Sequence, residues 1–129
     1  MTKKGLTMKL LKENIGVCRL NHNDPIPQWA NNSEFFSITK TLDELSIVCS
    51  QDSIPEGIKC EKGWRILKVQ GPLDFSLIGI IASISTTLAQ KNISIFAVST
   101  YDTDYILVKD KDIRNAINAL CDEEYEIII

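Results

Sequence analysis

Hydroxyl and carboxylate side chains are concentrated in one run, STYDTD at residues 99–104, which lies between two apolar segments. Asp102 or Asp104 could bind an ammonium or guanidinium group, and Ser99 or Thr100 could hydrogen-bond to a carboxylate. The same residue types are common at the tip of a β-hairpin, because Asp, Ser and Thr favour turns. The residues by themselves leave both interpretations open. Two aspartates with no further carboxylate or histidine clustered nearby do not predict a metal site.

A second candidate is the segment GPLDFSLIG at residues 71–79, which joins a predicted strand to a predicted helix. Free amides and the positive end of a helix dipole at such a junction suit a carboxylate or a phosphate. Asp74 is the expected N-cap of the helix. The segment has neither the Gly-Lys-Ser/Thr of a Walker loop nor a dinucleotide fingerprint. A plain turn with an N-cap is therefore the simpler interpretation.

No pattern of residues predicts catalysis. The four cysteines form no C-x-x-C pair, and His22, the single histidine, lies in a polar segment. Cys18 and Cys49 fall in apolar strand patterns, so we interpret them as core residues of a reduced protein. A zinc site would need different ligand spacing. We therefore expect no enzyme, no catalytic residue, no metal and no cofactor.

Composition limits the class of protein. The chain has 129 residues, 44% of them hydrophobic and 24% charged, with a net charge of −3. This length suits one compact domain or two very small ones that share a core. No basic excess is present to meet phosphates, which argues against nucleic-acid binding. No apolar run approaches a membrane span or the core of a signal peptide. We expect a cytoplasmic protein without a membrane segment.

The second half of the chain alternates strand and helix patterns. Strands are predicted at residues 64–69, 93–99, 105–109 and 126–129, and apolar residues at helical spacing predict helices after residues 74 and 110. Strand–helix–strand–strand–helix–strand is the ferredoxin-like order. Residues 93–99 are apolar on both faces, which predicts a central strand.

The first half repeats the strands of this plan with its helices reduced to turns. Residues 6–11 and 15–20 are predicted as two strands joined by a tight turn, and residues 35–50 as a hairpin. Pro27 predicts one helical turn at residues 28–30. We predict an α+β fold of two ferredoxin-like (βαββαβ) units, residues 1–62 and residues 63–129. The two units share or exchange a strand near residues 64–69.

Residues 63–120 resemble the tandem ACT-domain proteins, relatives of the regulatory domain of aspartate kinase and of the CASTOR arginine sensors. The most specific parts are GPLDFSLIGIIASI and ISIFAVSTYDTDYILVK, and the upstream segments IGVCRL, PIPQWA and FFSITKTLDELSIVCS are similar to the same family. The resemblance implies two ACT units in tandem, the first with reduced helices. It also implies a regulatory or sensor function, with an amino acid bound where two ACT units meet.

The resemblance further implies that the ligand meets the first strand–helix loop and the second strand of the unit. With the two turn aspartates added, the matching residues are Gly71, Pro72, Leu73, Asp74, Phe75, Ser76, Phe96, Ala97, Val98, Ser99, Thr100, Asp102 and Asp104. The expected partners are the amino acid, a second copy in a homodimer, and a regulated protein of unknown identity. The alternative is a ligand-free protein–protein interaction module that mediates dimerisation or partner binding through its edge strands.

Overall fold

The computed structural model describes residues 6–70 and 79–129. The predicted site residues Gly71, Pro72, Leu73, Asp74, Phe75 and Ser76 therefore lie outside the described residues. Within the described ranges the fold is α+β. Its elements are β1 (Thr7–Leu10), β2 (Ile15–Leu20), β3 (Ser37–Lys40), β4 (Leu45–Ser50), β5 (Cys60–Val69), α1 (Ile80–Ala89), β6 (Ile95–Ser99), β7 (Asp104–Lys109), α2 (Ile113–Asp122) and β8 (Glu126–Ile128).

Residues 13–64 form one compact unit. Its strands pair antiparallel in the order β3–β4–β2–β5, and β2 pairs with the first part of β5. The predicted β3–β4 hairpin is confirmed, and the hydroxyl of Thr41 accepts the amides of Asp43 and Glu44 in its turn. The predicted helical turn after Pro27 is also confirmed, as the 3-10 helix Gln28–Asn31.

The core of this unit lies on one face of β4. Alternate residues of β4 point to the same side of the sheet. Leu45, Ile47 and Cys49 on that side are completely buried, and they pack with Cys18, Ala30 and Ile54.

The second compact unit consists of residues 65–129 together with β1. Chain order here is β5–α1–β6–β7–α2–β8, which is the predicted ferredoxin-like sequence of elements. β7 pairs with β5 and β6, while β1 lies between β5 and β8. The contacts of β1 assign it to this unit, although it lies near the start of the chain. The predicted domain boundary between residues 62 and 63 stays a prediction.

The helices of this unit cover one face of its strands. α1 buries Ile80, Ile84 and Leu88, which recur at every fourth position on one side of the helix. α2 buries Ala116, Ala119 and Leu120 in the same core. Asn92, shortly after the end of α1, has a φ of 59°, the left-handed conformation that is common after a helix C-terminus.

The strands predicted at residues 6–11 and 15–20 are confirmed as β1 and β2, although they do not pair with each other: β1 pairs with β5 and β8, and β2 pairs with β4 and β5. One prediction about strand position is wrong. β6 is not a central strand, because among the described residues it pairs only with β7. Its apolar residues on two faces reflect partial burial of Ile95 on one side and of Phe96 and Val98 on the other.

Candidate functional site

The polar run at residues 99–104 forms the turn of the β6–β7 hairpin. Ser99 and Asp104 are the last cross-strand pair, and the Ser99 hydroxyl donates to Asp104 Oδ1 at 2.6 Å. The amide of Thr100 donates to the carbonyl of Thr103 at 2.8 Å, which closes the turn. The hairpin interpretation is therefore confirmed, and the turn brings Ser99, Thr100, Asp102 and Asp104 together.

Thr103 fixes this turn to the neighbouring strand. Its side chain is only 4% exposed, and its hydroxyl donates to the carbonyl of Val69 near the end of β5. The polar turn and the last residues of β5 are therefore held at the same end of the unit. The sequence does not distinguish Thr103 from its neighbours, because nothing in the polar run separates a buried threonine from an exposed one.

The two faces of β6 present different chemistry. Ala97 and Ser99 are exposed and alternate with Phe96 and Val98, which are half-buried on the opposite face. Ala97 and Ser99 continue the face on which Ile95 packs against the core. The strand therefore offers small side chains and backbone to one side of the sheet.

The two aspartates differ in what they can bind. Asp104 is half-buried, and the Ser99 hydroxyl occupies one of its carboxylate oxygens. Asp102 is exposed and makes no hydrogen bond or ion pair with the described residues. Two negative charges within three residues favour an ammonium or guanidinium group. A nucleophile paired with a general base is not found at this turn.

Two surface grooves on the helices were not anticipated from the sequence. One, along α1, has a volume of about 450 Å³, and the hydroxyls of Ser83 and Tyr125 are hydrogen-bonded at 2.9 Å beside it. It is lined by Gly79, Ala82, Ser83, Thr86, Thr87, Gln90 and Glu123. A smaller groove of about 260 Å³ lies along α2. Small exposed residues on a helix gave no signal for either groove in the sequence.

Other kinds of site are not found in the part of the chain that the structure describes. No group of three or more His, Cys, Asp or Glu side chains is arranged to hold a metal ion in residues 6–70 and 79–129. No helix in these ranges is long and apolar enough to cross a membrane.

Comparison with known proteins identifies the family. The model of the ACT domain matches residues 59–122, and a second family model, describing an N-terminal domain, matches residues 13–57. The first match covers β5, the β6–β7 hairpin and both α-helices. The chain belongs to the ACT-domain family. The hairpin with the polar turn is therefore part of the ACT domain.

Three relatives of this ACT-domain protein differ in how closely their sequence and fold match it. The crystal structure of Atu0741 from Agobacterium tumefaciens is 38% identical, has a TM-score of 0.90, and aligns over 95% of this chain and 92% of its own. The cytosolic arginine sensor for mTORC1 subunit 1 of Bos taurus is 28% identical over 70% of this chain. The chain spans only 31% of that sensor's length.

The third relative is a structural one. Aspartate kinase from Clostridium acetobutylicum aligns with 84% of this chain at a TM-score of 0.65 and 15% identity, and the match covers 32% of the kinase. At this identity the likeness concerns the fold alone. The chain is thus similar in sequence to part of an arginine sensor, and in fold to part of an aspartate kinase.

Proposed function

We propose that this ACT-domain protein is a cytoplasmic regulatory protein that binds an amino acid. It consists of two ferredoxin-like ACT units in tandem, the first with reduced helices. Sequence similarity to part of an arginine sensor supports a regulatory role. The ligand-binding residues are those of the loop at residues 71–76 together with β6 and the turn that follows it.

The hydrogen bond between Thr103 and Val69 is the observation that carries this proposal. It ties the polar turn to the end of β5, and in the sequence Val69 is followed by Gln70 and then by the candidate residues that begin at Gly71. Two segments far apart in sequence thus start from the same end of the unit. A ligand bound there would be contacted by both.

The chemistry of these residues suits the two charged groups of an amino acid. The open oxygen of Asp104 and the carboxylate of Asp102 would bind the ammonium group. Residues 71–76 would bind the carboxylate. β6 adds the N–H and C=O groups of an edge strand, which can hydrogen-bond to a ligand. No residue is required to act as an acid, a base or a nucleophile, so we propose binding and not turnover.

A thermal-shift screen of the purified chain against the standard amino acids at millimolar concentration tests the proposal. A ligand at about 100 times its dissociation constant stabilises the folded state by roughly 2.7 kcal/mol, which raises Tm by several degrees. Asp104→Asn should abolish the shift produced by the active amino acid. Asp52→Asn, the same change at an exposed position of the other unit, should leave the shift intact. A flat response to the whole panel would contradict amino-acid binding.

The second candidate function is a ligand-free interaction module. It is favoured by β6, which pairs only with β7 in the described ranges and presents exposed Ala97 and Ser99. Such an edge can pair with a strand of another chain. This function predicts no response to any amino acid, together with loss of self-association or partner binding when β6 is altered, for example by Ala97→Pro.

A further inference from the structure

Three thiols lie in a row across the unit of residues 13–64, away from the polar turn in sequence. Cys18 is in β2, Cys49 in the adjacent β4 and Cys60 at the start of β5. Since β2 pairs with both β4 and β5, Cys18 is the middle member of the row. Cys18 and Cys49 are buried, whereas Cys60 is half-buried and packs against the same core.

The strand register makes Cys18 and Cys60 direct neighbours. The amide of Arg19 donates to the carbonyl of Lys59 at 3.0 Å, so Arg19 and Lys59 are a hydrogen-bonded pair of the antiparallel ladder. The preceding pair, Cys18 and Cys60, is therefore a non-hydrogen-bonded pair, whose Cα atoms are typically about 4.5 Å apart. Disulfides span Cα separations of roughly 4.4–6.8 Å. The register is therefore compatible with a disulfide between Cys18 and Cys60.

Cys49 is placed differently. Its cross-strand partner is Gly16, so it is a diagonal neighbour of Cys18. Diagonal positions are typically about 7–8 Å apart, beyond the usual span of a disulfide. Interaction with Cys49 and burial, with smaller contributions from Cys60, raise the pKa of Cys18, and interaction with Cys18 lowers the pKa of Cys49.

We propose that Cys60 and Cys18 are a reversible oxidation site, at which a peroxide converts the two thiols into a cross-strand disulfide. This site is separate from the proposed amino-acid site and does not depend on it. Cys60 is the sulfur that meets the peroxide first, because it is the more exposed of the pair. Cys18 is the resolving thiol, because the register holds it opposite Cys60.

The chemistry balances with the peroxide as oxidant. The Cys60 thiolate attacks one peroxide oxygen, so that an S–O bond forms and the O–O bond breaks. The departing hydroxide takes up the proton released by Cys60 and becomes water. Cys18 then attacks the Cys60 sulfur, which forms the S–S bond and breaks the S–O bond. This second hydroxide leaves with the Cys18 proton as water, so two thiols lose two electrons and one peroxide gains them.

The test uses the full chain carrying Cys121→Ser, since the exposed Cys121 could link two molecules. The folded protein is treated with one equivalent of hydrogen peroxide, denatured in N-ethylmaleimide and digested without reduction. We expect a peptide that joins Cys18 to Cys60, an intact mass before alkylation that is lower by two hydrogen atoms, and full reversal by dithiothreitol. Cys49 should be recovered as the alkylated thiol.

Two matched variants make the result specific. Cys49→Ser should still form the cross-link, whereas Cys60→Ser should form none and should leave Cys18 as a free thiol. Peroxide treatment of the urea-denatured chain controls for folding, because the preference for Cys18 and Cys60 should disappear there. Conversion of Cys60 to its sulfinic acid with Cys18 still reduced would overturn the proposal. So would a cross-link that mainly joins Cys18 to Cys49, or retention of all thiols.

Discussion

Thr103 lies in the middle of a polar run, yet its side chain is 4% exposed and its hydroxyl donates to the carbonyl of Val69. The aspartates on either side of it are the residues whose charge attracts attention in the sequence. Composition identifies such a run as a turn, because Asp, Ser and Thr share that preference. It does not show which hydroxyl points inward, because that depends on the strand beside the turn.

The substitution Thr103→Val tests this anchoring role. Valine has nearly the same shape, so the main loss is the hydrogen bond to the Val69 carbonyl, and the free energy of unfolding should fall by about 1 kcal/mol. Urea denaturation followed by circular dichroism measures the change. Thr39→Val, the same replacement at an exposed position of β3, should alter stability by less than about 0.5 kcal/mol. Equal effects of the two substitutions would exclude an anchoring role for Thr103.

Gly16 has a steric role in the other unit. A Cβ atom at this position would lie 2.5 Å from Cδ1 of Ile54, which is too close for a real contact. Gly16→Ala should therefore lower the free energy of unfolding by about 1–3 kcal/mol through overpacking. The sequence shows only a glycine near the start of an apolar strand, and the reason for it is a contact with a residue 38 positions later.

A double-mutant cycle isolates this contact. Ile54→Val removes Cδ1, so Gly16→Ala should cost at least about 0.5 kcal/mol less in the Ile54→Val background. Both costs come from urea denaturation under identical conditions. An equal cost in the two backgrounds would mean that Gly16 is required for some other reason.

At the scale of elements, β1 illustrates how far a hydrophobic pattern can lead. The pattern correctly predicts a strand, because apolar side chains at alternate positions can bury one face. It does not specify the partner, since any strand with a compatible face satisfies the same pattern. In the structure Met8 of β1 pairs with Val69 of β5 and with Ile127 of β8, and its side chain is completely buried.

Met8→Ala should therefore destabilise the unit formed by β1 and residues 65–129. The loss of a fully buried side chain costs about 2–5 kcal/mol of unfolding free energy. Hydrogen exchange should show reduced protection in the second part of β5 and in β8. Protection in the β3–β4 hairpin should change less, because that hairpin belongs to the other compact unit. Equal loss of protection in both places would contradict this assignment of β1.

At the scale of the whole molecule, the proposed site raises the question of what covers it. Small-molecule sites usually bury about 70–90% of their ligand. The polar turn is open, with Asp102 exposed and Tyr101 81% exposed. Further protein surface is therefore needed to enclose an amino acid, and a second copy of the chain is the simplest source. We accordingly predict a homodimer.

Analytical ultracentrifugation tests this prediction. The purified chain should sediment with twice the monomer mass of 14.5 kDa, and the active amino acid should strengthen the association because it binds where two copies meet. Asp104→Asn should remove the effect of the amino acid, whereas Asp52→Asn should not. A monomer at all concentrations, with or without ligand, would contradict a site shared between two copies.

The sequence by itself determined the α+β class, the ferredoxin-like order of elements in the second half, the β3–β4 hairpin and the ACT family. These follow from local periodicity, turn residues and recognisable segments, all of which are properties of neighbouring residues. The tertiary structure decided the partners of β1, the edge position of β6, and the contacts of Thr103 with Val69 and of Cys18 with Cys60. The pairing of β1 and the two side-chain contacts join residues more than 30 positions apart, and local pattern carries no information about which distant surface will bury a given side chain.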